Sequence, residues 1–277
     1  MGDEGFGSSS TNKYVRMRPI AWARGLPQRR IFFPPPAKTA LREALAASGG
    51  NTKNQAVIAA IENLQSLNPT TAPAHSGKFM DSEWLLISAP NFPQGEQLAD
   101  GRFAYTLGRL AFNMFQPTEL KVVVDRVLQP VFLLENGEQR THDIVVEFTT
   151  IDASVPQLSG LVRNQGICQP ISATVLQVQF TGGILAPQAP TKLNEWKAIF
   201  GEQRQSRKRT WKESLTSGFL KLMFGLVSSE SMNPETGEVS FRMKRSPKGR
   251  LEILYLDEEL RITRGERGTV LVCQRQH

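Results

Sequence analysis

The chain has 277 residues, 40% hydrophobic and 21% charged, which is ordinary for a globular protein with a substantial core. No stretch approaches the roughly 18 consecutive apolar residues of a membrane-spanning helix, so an integral membrane protein is not expected. Two cysteines, Cys168 and Cys273, and three histidines are too few for a disulfide framework or a cysteine zinc site.

The net charge of +7 is concentrated at the N-terminus. Residues 1–36 hold six bases and two acids, so +4 of the total lies there and the remaining residues are nearly neutral. A basic segment on a neutral body favours targeting, or contact with an anionic surface, over nucleic-acid binding. No recognition helix, zinc finger or aromatic RNA-binding motif is evident, so we do not expect nucleic acid as a partner.

Residues 1–37 are rich in Pro, Arg and Ser and end in the run Pro34-Pro35-Pro36, which resists helix and sheet alike. Serines early and arginines later suit an organelle transit peptide, whereas Asp3 and Glu4 argue against one. A disordered basic tail and a targeting segment both remain open. We therefore expect the folded domain to span residues 38–277.

Two helices are predicted next. Residues 40–47 are rich in good helix formers. Asn51 or Thr52 is expected to cap a second helix, and Asn68-Pro69 to end it. A single stripe of apolar residues indicates that this helix lies against a larger body. The residues of the stripe recur at helical spacing and are Val57, Ile58, Ile61 and Leu64.

From residue 83 the pattern becomes that of short strands rich in Val, Ile, Phe and Thr. The predicted strands are residues 83–88, 102–108, 120–127, 130–134, 144–149, 173–180, 239–243, 251–256, 260–263 and 269–274. Turns are expected at Asn136-Gly137 and at Asn233-Pro234 with Gly237, and a turn or bulge at Gly182-Gly183. Many short strands without intervening helices favour an antiparallel barrel or sandwich over a parallel α/β sheet.

An insertion at about residues 187–236 interrupts this pattern and predicts an amphipathic helix over residues 207–226. Its apolar face carries Trp211, Leu215, Phe219, Leu222, Met223 and Leu226, and its other face carries Lys208, Arg209, Lys212 and Glu213. The stripe fits ordinary core packing. It fits equally an interfacial helix, with Trp211, Phe219, Leu222 and Met223 in the acyl boundary and Lys212 and other bases on anionic headgroups.

The C-terminal sequence GRLEILYLDEELRITRG, residues 249–265, resembles the closing motif of the plastid lipid-associated proteins, or fibrillins. Residues 59–73 followed by Trp84 resemble the opening block of that family, and residues 107–117 are similar to a central block. The family's opening Gly-x-Trp is replaced here by Ser82-Glu83-Trp84. The blocks lie between about residues 55 and 275 and so frame most of the chain.

The resemblance implies a lipocalin-like protein of thylakoid membranes and plastoglobules that binds hydrophobic molecules. We expect a mainly β fold, a lipocalin-like antiparallel β-barrel with N-terminal helices and an inserted amphipathic helix. The expected ligand is a prenylquinone, a carotenoid or an acyl lipid, with no other cofactor. The expected partner surface is a membrane with anionic lipids, in a chloroplast, or on the thylakoid or in the cytoplasm of a cyanobacterium.

The alternative function is a structural coat, or an assembly or protection factor for photosynthetic complexes, with a filled barrel and no ligand. Large inward-facing side chains can fill an eight-stranded barrel and leave no pocket. Ligand identity and oligomeric state stay open at this point.

In a barrel, Trp84 on an early strand can meet Arg261 or Arg264 on a late strand, with the guanidinium over the indole face. Trp84, Tyr255, Arg261 and Arg264 are therefore candidate barrel-closing or ligand-binding residues, and we favour the structural role. Asp257 and Glu258 are expected to pair with arginines or to cap the turn between the last strands.

No catalytic arrangement is evident. His142-Asp143 has no nucleophile partner, and Cys168 is expected in a Gly/Gln/Pro loop as a free structural thiol. We find no metal-ligand spacing. The sequence thus predicts a binding or structural protein, with no catalytic residue and no metal.

Overall fold

The computed structural model describes residues 36–201, 231–243, 245–246 and 248–276. The α-helices in these ranges are α1 (Pro36–Ala47), α2 (Gln55–Ser66), α3 (Gly77–Met80), α4 (Leu107–Leu110) and α5 (Leu193–Phe200), with 3-10 turns at Pro73–His75 and Pro190–Lys192. The strands are β1 (Ser82–Leu86), β2 (Glu96–Gln97), β3 (Phe103–Thr106), β4 (Lys121–Val131), β5 (Arg140–Thr141), β6 (Ile144–Thr150), β7 (Ser159–Pro170), β8 (Val175–Pro187), β9 (Val239–Arg242), β10 (Lys248–Leu256), β11 (Leu260–Gly265) and β12 (Val270–Arg275). No helix among them is long and apolar enough to cross a membrane.

Eight strands form a closed antiparallel barrel in the order β1-β12-β11-β10-β8-β7-β6-β4, and β4 pairs back to β1. The closing register joins Ser82 to Val131 and Leu85 to Leu128. Residues 128–131 of β4 pair with β1 and close the barrel at this seam, whereas residues 121–124 of β4 pair with β3. The expected mainly β, lipocalin-like barrel is confirmed.

Strand register decides which side chains face the barrel interior. Trp84 lies opposite Gln129 on β4 and Arg275 on β12, and Cys273 lies opposite Arg261 on β11. These residues share the inward face, because paired residues of adjacent strands point to the same side of a sheet. The outward face of β10, β11 and β12 is covered by α1 and α2, whose Leu41, Val57 and Ile61 pack on Leu254, Leu260 and Ile262.

Both N-terminal helices are present with adjusted bounds. The second begins later than predicted, because Asn54 and not Asn51 or Thr52 is the N-cap, accepting a hydrogen bond from the Ala56 backbone N–H. Asn51 instead accepts from Lys53 N in the preceding turn. The apolar stripe does lie on the barrel, except that Ile58 is only partly buried.

The predicted strands at residues 120–127 and 130–134 merge into β4, which ends at Val131; of the remaining residues only Leu133 forms an isolated bridge, to Arg140. Pro130 is the penultimate residue of β4, where a missing backbone N–H costs little. The turn residues Gly137 and Gly237 have φ values of +70° and +73°, as expected of glycine in these turns.

Strand β7 was not predicted, because its sequence is poor in the apolar runs that mark strands. Its inward positions include Gly160, where a Cβ atom would lie 2.5 Å from the Trp196 ring, and Gly166, where it would lie 2.6 Å from His142 O. Cys168 belongs to this strand, so its expected placement in a loop was wrong. Gly182 and Gly183 lie within β8 and form no turn; the bulge there is at Thr181 beside them.

Strand β8 ends at Pro187, where the insertion was predicted to begin; α5 follows it, and the next strand, β9, starts at Val239. The predicted helix over residues 207–226, with Trp211, Lys212, Phe219, Leu222 and Met223, lies outside the described residues. The whole chain divides into Met1–Pro34 and Pro35–His277, and the second unit contains every element named above.

Candidate functional site

Trp84 lies inside the barrel, where β1 pairs with β4 and β12, and is fully buried. We call Trp84 and the residues around it, Gln129, Arg261, Cys273 and Arg275, the floor of the barrel. The Trp84 indole N–H donates to Met80 O at 3.0 Å, and its ring lies between two guanidinium groups. The Cζ atoms of Arg261 and Arg275 are 4.9 Å and 4.8 Å from the ring centroid. The predicted contact between Trp84 and Arg261 is therefore present, within cation–π range.

Arg275, which no sequence motif marks, joins the floor to the segment before β1. Its Nη1 donates to Asp81 O at 3.3 Å and its Nη2 donates to Phe79 O. It lies directly opposite Trp84 in the β1–β12 register. Arg275 therefore fixes both the indole and the chain that enters β1, which is the structural closing role expected for Arg261 or Arg264.

Arg264 does not contact Trp84, contrary to one of the two alternatives. It lies on the barrel exterior, where its Nη2 is 2.7 Å from Glu252 Oε2. The physical reason is the period of a strand: residues three positions apart in β11 point to opposite faces, so Arg261 and Arg264 cannot both face inward.

Tyr255 also faces outward, since a bulge at Leu254 in β10 places both Leu254 and Tyr255 under the helices. Its hydroxyl donates to Asp257 Oδ2 at 2.7 Å, and Lys38 Nζ of α1 is 2.5 Å from the same carboxylate oxygen. Asp257 also accepts from the Glu259 and Leu260 N–H groups, so it caps the β10–β11 turn as expected. Its ion pair is with Lys38, and Asp257 and Glu258 also interact electrostatically with Arg275.

Burial alone would raise the pKa of Asp257, but the hydrogen bonds from Lys38, Tyr255 and the turn N–H groups outweigh it and lower that pKa. Burial and the neighbouring carboxylate raise the pKa of Tyr255, so its hydroxyl remains a donor. This cluster joins α1 to the end of the barrel, outside the lumen.

Arg261 is the most buried charge at the floor, with 1% of its surface exposed. Its Nη2 donates to Gln129 Oε1 at 2.5 Å, and the Cys273 thiol lies 3.8 Å from the same oxygen. Its Nε and Nη1 are buried and have no hydrogen-bond partner in the described part of the chain. Burial lowers its pKa, and no carboxylate is among the groups that shift it.

His142 and Cys168 are close enough to Arg261 to interact electrostatically with it. Burial, assisted by Arg261, lowers the pKa of His142 to about 3, and burial raises the pKa of Cys168 to about 11. Both groups are therefore neutral at pH 7. His142 is a core histidine with an unpartnered Nδ1, and neither residue is arranged as a catalytic nucleophile and base.

The other half of the barrel is filled with aromatic side chains. The Trp196 ring lies 4.1 Å from that of Phe200 and 6.5 Å from that of Phe148, and its N–H donates to Gly237 O at 2.8 Å. Phe115 packs on Phe241 at 5.3 Å between centroids. The lumen is thus occupied at the α5 side.

An open cleft of about 670 Å³ lies at the seam, between the end of α1 and the strands β1, β3 and β4. It begins where the β1–β4 pairing ends at Leu85 and Leu128. Leu86, Phe103 and Val127 supply apolar walls, while Arg42, Arg102 and Arg126 also line it. This volume is in the range of small-molecule sites, roughly 300 to 1,000 Å³.

Among the described residues, no group of three His, Cys, Asp or Glu side chains could hold a metal ion. The features that the sequence brought together are Trp84 and Arg261. Gln129 and Arg275 join them through strand register, and no local motif marked these two residues. His142 joins them from the connection between β5 and β6.

The fold defines a mainly β protein built on a closed eight-stranded antiparallel barrel, floored by a tryptophan between two arginines. The PAP_fibrillin family model matches residues 39–274, so the chain belongs to the PAP/fibrillin family. This family is in general lipid-associated and plastid-associated, and its barrel is compatible with a hydrophobic ligand. No curated protein and no solved structure matches the chain.

Proposed function

We propose that this protein binds a hydrophobic small molecule, without catalysing a reaction, and works at the surface of thylakoid membranes or plastoglobules. The expected ligand is a prenylquinone, a carotenoid or an acyl lipid. The supporting observation is the apolar inward face beside the floor. Leu86, Val178 and Leu251 pack against the floor cluster yet remain only partly buried.

The seam cleft is the proposed entrance, because Leu86 and Val127 line both the cleft and the inward face. A ligand that enters there removes its own apolar surface and that of these walls from water. Such burial stabilises the complex by about 25 cal/mol per Å², reduced by the entropy lost when the ligand is ordered.

Native mass spectrometry of the purified protein, followed by organic extraction, tests this function. We expect a stoichiometric isoprenoid or lipid, or its uptake when the empty protein is incubated with thylakoid lipid extract. Leu86→Trp should obstruct the cleft and reduce uptake severalfold. Leu133→Trp is the matched control, since Leu133 is 49% exposed and lies away from the cleft.

The second candidate is a structural coat or an assembly factor for photosynthetic complexes. The aromatic packing of Trp196, Phe148 and Phe200 favours it, because it fills part of the lumen. A barrel that stays empty after incubation with the extract, with Leu86→Trp behaving as wild type, would favour this candidate over a carrier.

Membrane association is tested separately through the predicted helix over residues 207–226. Replacing Phe219 and Leu222 with Asp should abolish flotation with liposomes that contain anionic lipids, because charged side chains oppose insertion at the acyl boundary. The far-ultraviolet circular dichroism spectrum of the protein should be unchanged, which shows that the barrel remains folded. Unaltered flotation would exclude this helix as the anchor.

A further inference from the structure

Arg261 carries a positive charge to the floor of the barrel without an acidic partner among the described residues. Arg261 is 1% exposed, its Nη2 donates to the neutral amide of Gln129, and its other polar side-chain neighbour is the Cys273 thiol. Nε and Nη1 are buried donors without acceptors. A buried charge normally has a counter-ion and a full set of hydrogen bonds, since taking it out of water is costly.

No neighbouring group supplies that counter-ion. Burial raises the pKa of the Cys168 and Cys273 thiols and lowers the pKa of His142, so all three are neutral at pH 7. The remaining charged neighbour is Arg275, which is also cationic. Arg275 has the carboxylates of Asp81, Asp257 and Glu258 as electrostatic neighbours. Arg261 has no carboxylate among the groups that shift its pKa, and it contacts Trp84 in an apolar cluster that includes Ile253 and Leu256.

Barrel closure does not account for this charge. Arg275 already contacts the Trp84 ring and donates to the Phe79 and Asp81 carbonyls, which fixes the chain at the seam. Arg261 makes no hydrogen bond to any main-chain carbonyl of the described residues. An apolar side chain could fill its place at lower desolvation cost.

We infer that Arg261 is the anchor for the carboxylate of a long-chain acid, whose acyl tail lies along the inward face formed by Leu86, Val178 and Leu251. The inference rests on the proposed function and narrows it to one ligand class. A carboxylate supplies the missing acceptors for Nε and Nη1 and the missing charge. Charge-assisted hydrogen bonds of this kind are about twice as strong as neutral ones. A neutral prenylquinone or carotenoid would leave the charge uncompensated.

The test compares a fluorescent long-chain acid, cis-parinaric acid, with its methyl ester at pH 8, where the acid is ionised. The protein is the full chain after removal of lipid. We expect the wild type to bind the acid about tenfold or more tightly than the ester. Arg261→Met should remove that preference by weakening the acid and leaving the ester within twofold. Arg264→Met is the control, since Arg264 is exposed and paired with Glu252.

Thermal unfolding distinguishes an anchor from a structural arginine. If Arg261 is an anchor, the ligand-free Arg261→Met protein should unfold at or above the wild-type temperature, and only the wild type should be stabilised further by the acid. Arg261→Lys keeps the charge and should retain part of the preference, so it serves if the methionine variant does not fold.

Equal binding of acid and ester by the wild type would overturn the inference and leave the proposed function intact. Retention of the acid preference by Arg261→Met would also overturn it. If the wild type binds neither compound and takes up nothing from thylakoid extract, both the inference and the carrier function are wrong.

Discussion

At the scale of single residues, the floor of the barrel depends on Trp84. Its indole fills the space between two guanidinium groups, and its N–H satisfies the Met80 carbonyl. Trp84→Ala should lower the free energy of unfolding by about 3 to 5 kcal/mol, from lost apolar burial and from the cavity left behind. Urea unfolding followed by circular dichroism measures this.

Phe132→Ala is the matched control for Trp84→Ala. The Phe132 side chain is 48% exposed, so its removal should change the free energy of unfolding by no more than about 0.5 kcal/mol. Equal effects of the two substitutions would show that Trp84 is not a central packing residue.

His142 should make the protein sensitive to mild acid. Because burial lowers its pKa to about 3 in the folded state, whereas an unfolded histidine titrates near pH 6.5, the unfolded chain binds the extra proton in between. His142 therefore does not lower the free energy of unfolding above about pH 6.5, and the free energy of unfolding falls as the pH decreases from 6.5 towards 3. Between pH 6.5 and 4.5 the loss should be about 2 kcal/mol.

His142→Gln removes this titration. The difference in free energy of unfolding between the wild type and His142→Gln, measured in urea at several pH values, should change by about 2 kcal/mol between pH 6.5 and 4.5, because the carboxylates titrate in both proteins. A difference that stays constant over this range would mean that another group is responsible for the acid sensitivity.

At the scale of elements, the attachment of α1 to the barrel depends on Asp257. Lys38, Tyr255 and the β10–β11 turn all donate to its carboxylate. Asp257→Asn should destabilise the protein by about 1 to 3 kcal/mol at pH 7, because hydrogen bonds to a charged acceptor are lost or weakened.

The pH dependence of this effect has a definite sign. The pKa of Asp257 is lower in the folded protein than in the unfolded chain, where it is about 3.9. The ionised carboxylate therefore makes its whole contribution to the free energy of unfolding above about pH 3.9. That contribution is lost as the pH falls through the pKa of the folded state. The difference between wild type and Asp257→Asn in urea unfolding should therefore shrink below about pH 4. A difference independent of pH would contradict the role of the charge.

The packing of α5 on β7 requires Gly160. An added Cβ atom would lie 2.5 Å from the Trp196 ring and 2.8 Å from the Phe148 ring. Gly160→Ala should therefore destabilise the protein by about 1 to 3 kcal/mol. It should also change the near-ultraviolet circular dichroism signal to which Trp196 contributes.

Gly249→Ala is the control for Gly160→Ala. Gly249 also lies in a barrel strand, and nothing lies within 4 Å of the added atom. Its thermal unfolding midpoint should match that of the wild type within about 2 °C. An unchanged midpoint for Gly160→Ala would show that α5 can shift to make room.

At the scale of the whole molecule, closure joins distant parts of the chain, since β1 pairs with β12 at one edge and with β4 at the other. Residues 35–277 form one compact unit. A protein made of these residues alone should unfold in one transition, with fluorescence and circular dichroism coincident, at the urea midpoint of the full chain.

A chain ending before residue 269 provides the contrast. It would lack β12, and β1 and β11 would each lose a hydrogen-bonding partner. We expect this protein not to fold. Cooperative unfolding of the shortened chain, or a lower midpoint for residues 35–277, would contradict a barrel that is closed and self-sufficient.

The sequence by itself determined the class of fold, most of the strands, both N-terminal helices and the family. These follow from local signals: the period of apolar residues, turn residues such as Gly137, and the ordered motif of residues 249–265. It also predicted that Trp84 meets Arg261 or Arg264. It did not indicate β7, whose inward glycines are needed only because Trp196 and His142 pack against them.

The tertiary structure alone decided which polar groups meet at the floor. A bulge at Leu254 turns Tyr255 outward, and the alternation of β11 separates Arg264 from Arg261. Register brings Arg275 and Gln129 to the same place from separate strands, and the connection between β5 and β6 adds His142. The reason is that a side chain's face in a strand depends on every bulge and pairing before it, and these form only when distant strands meet.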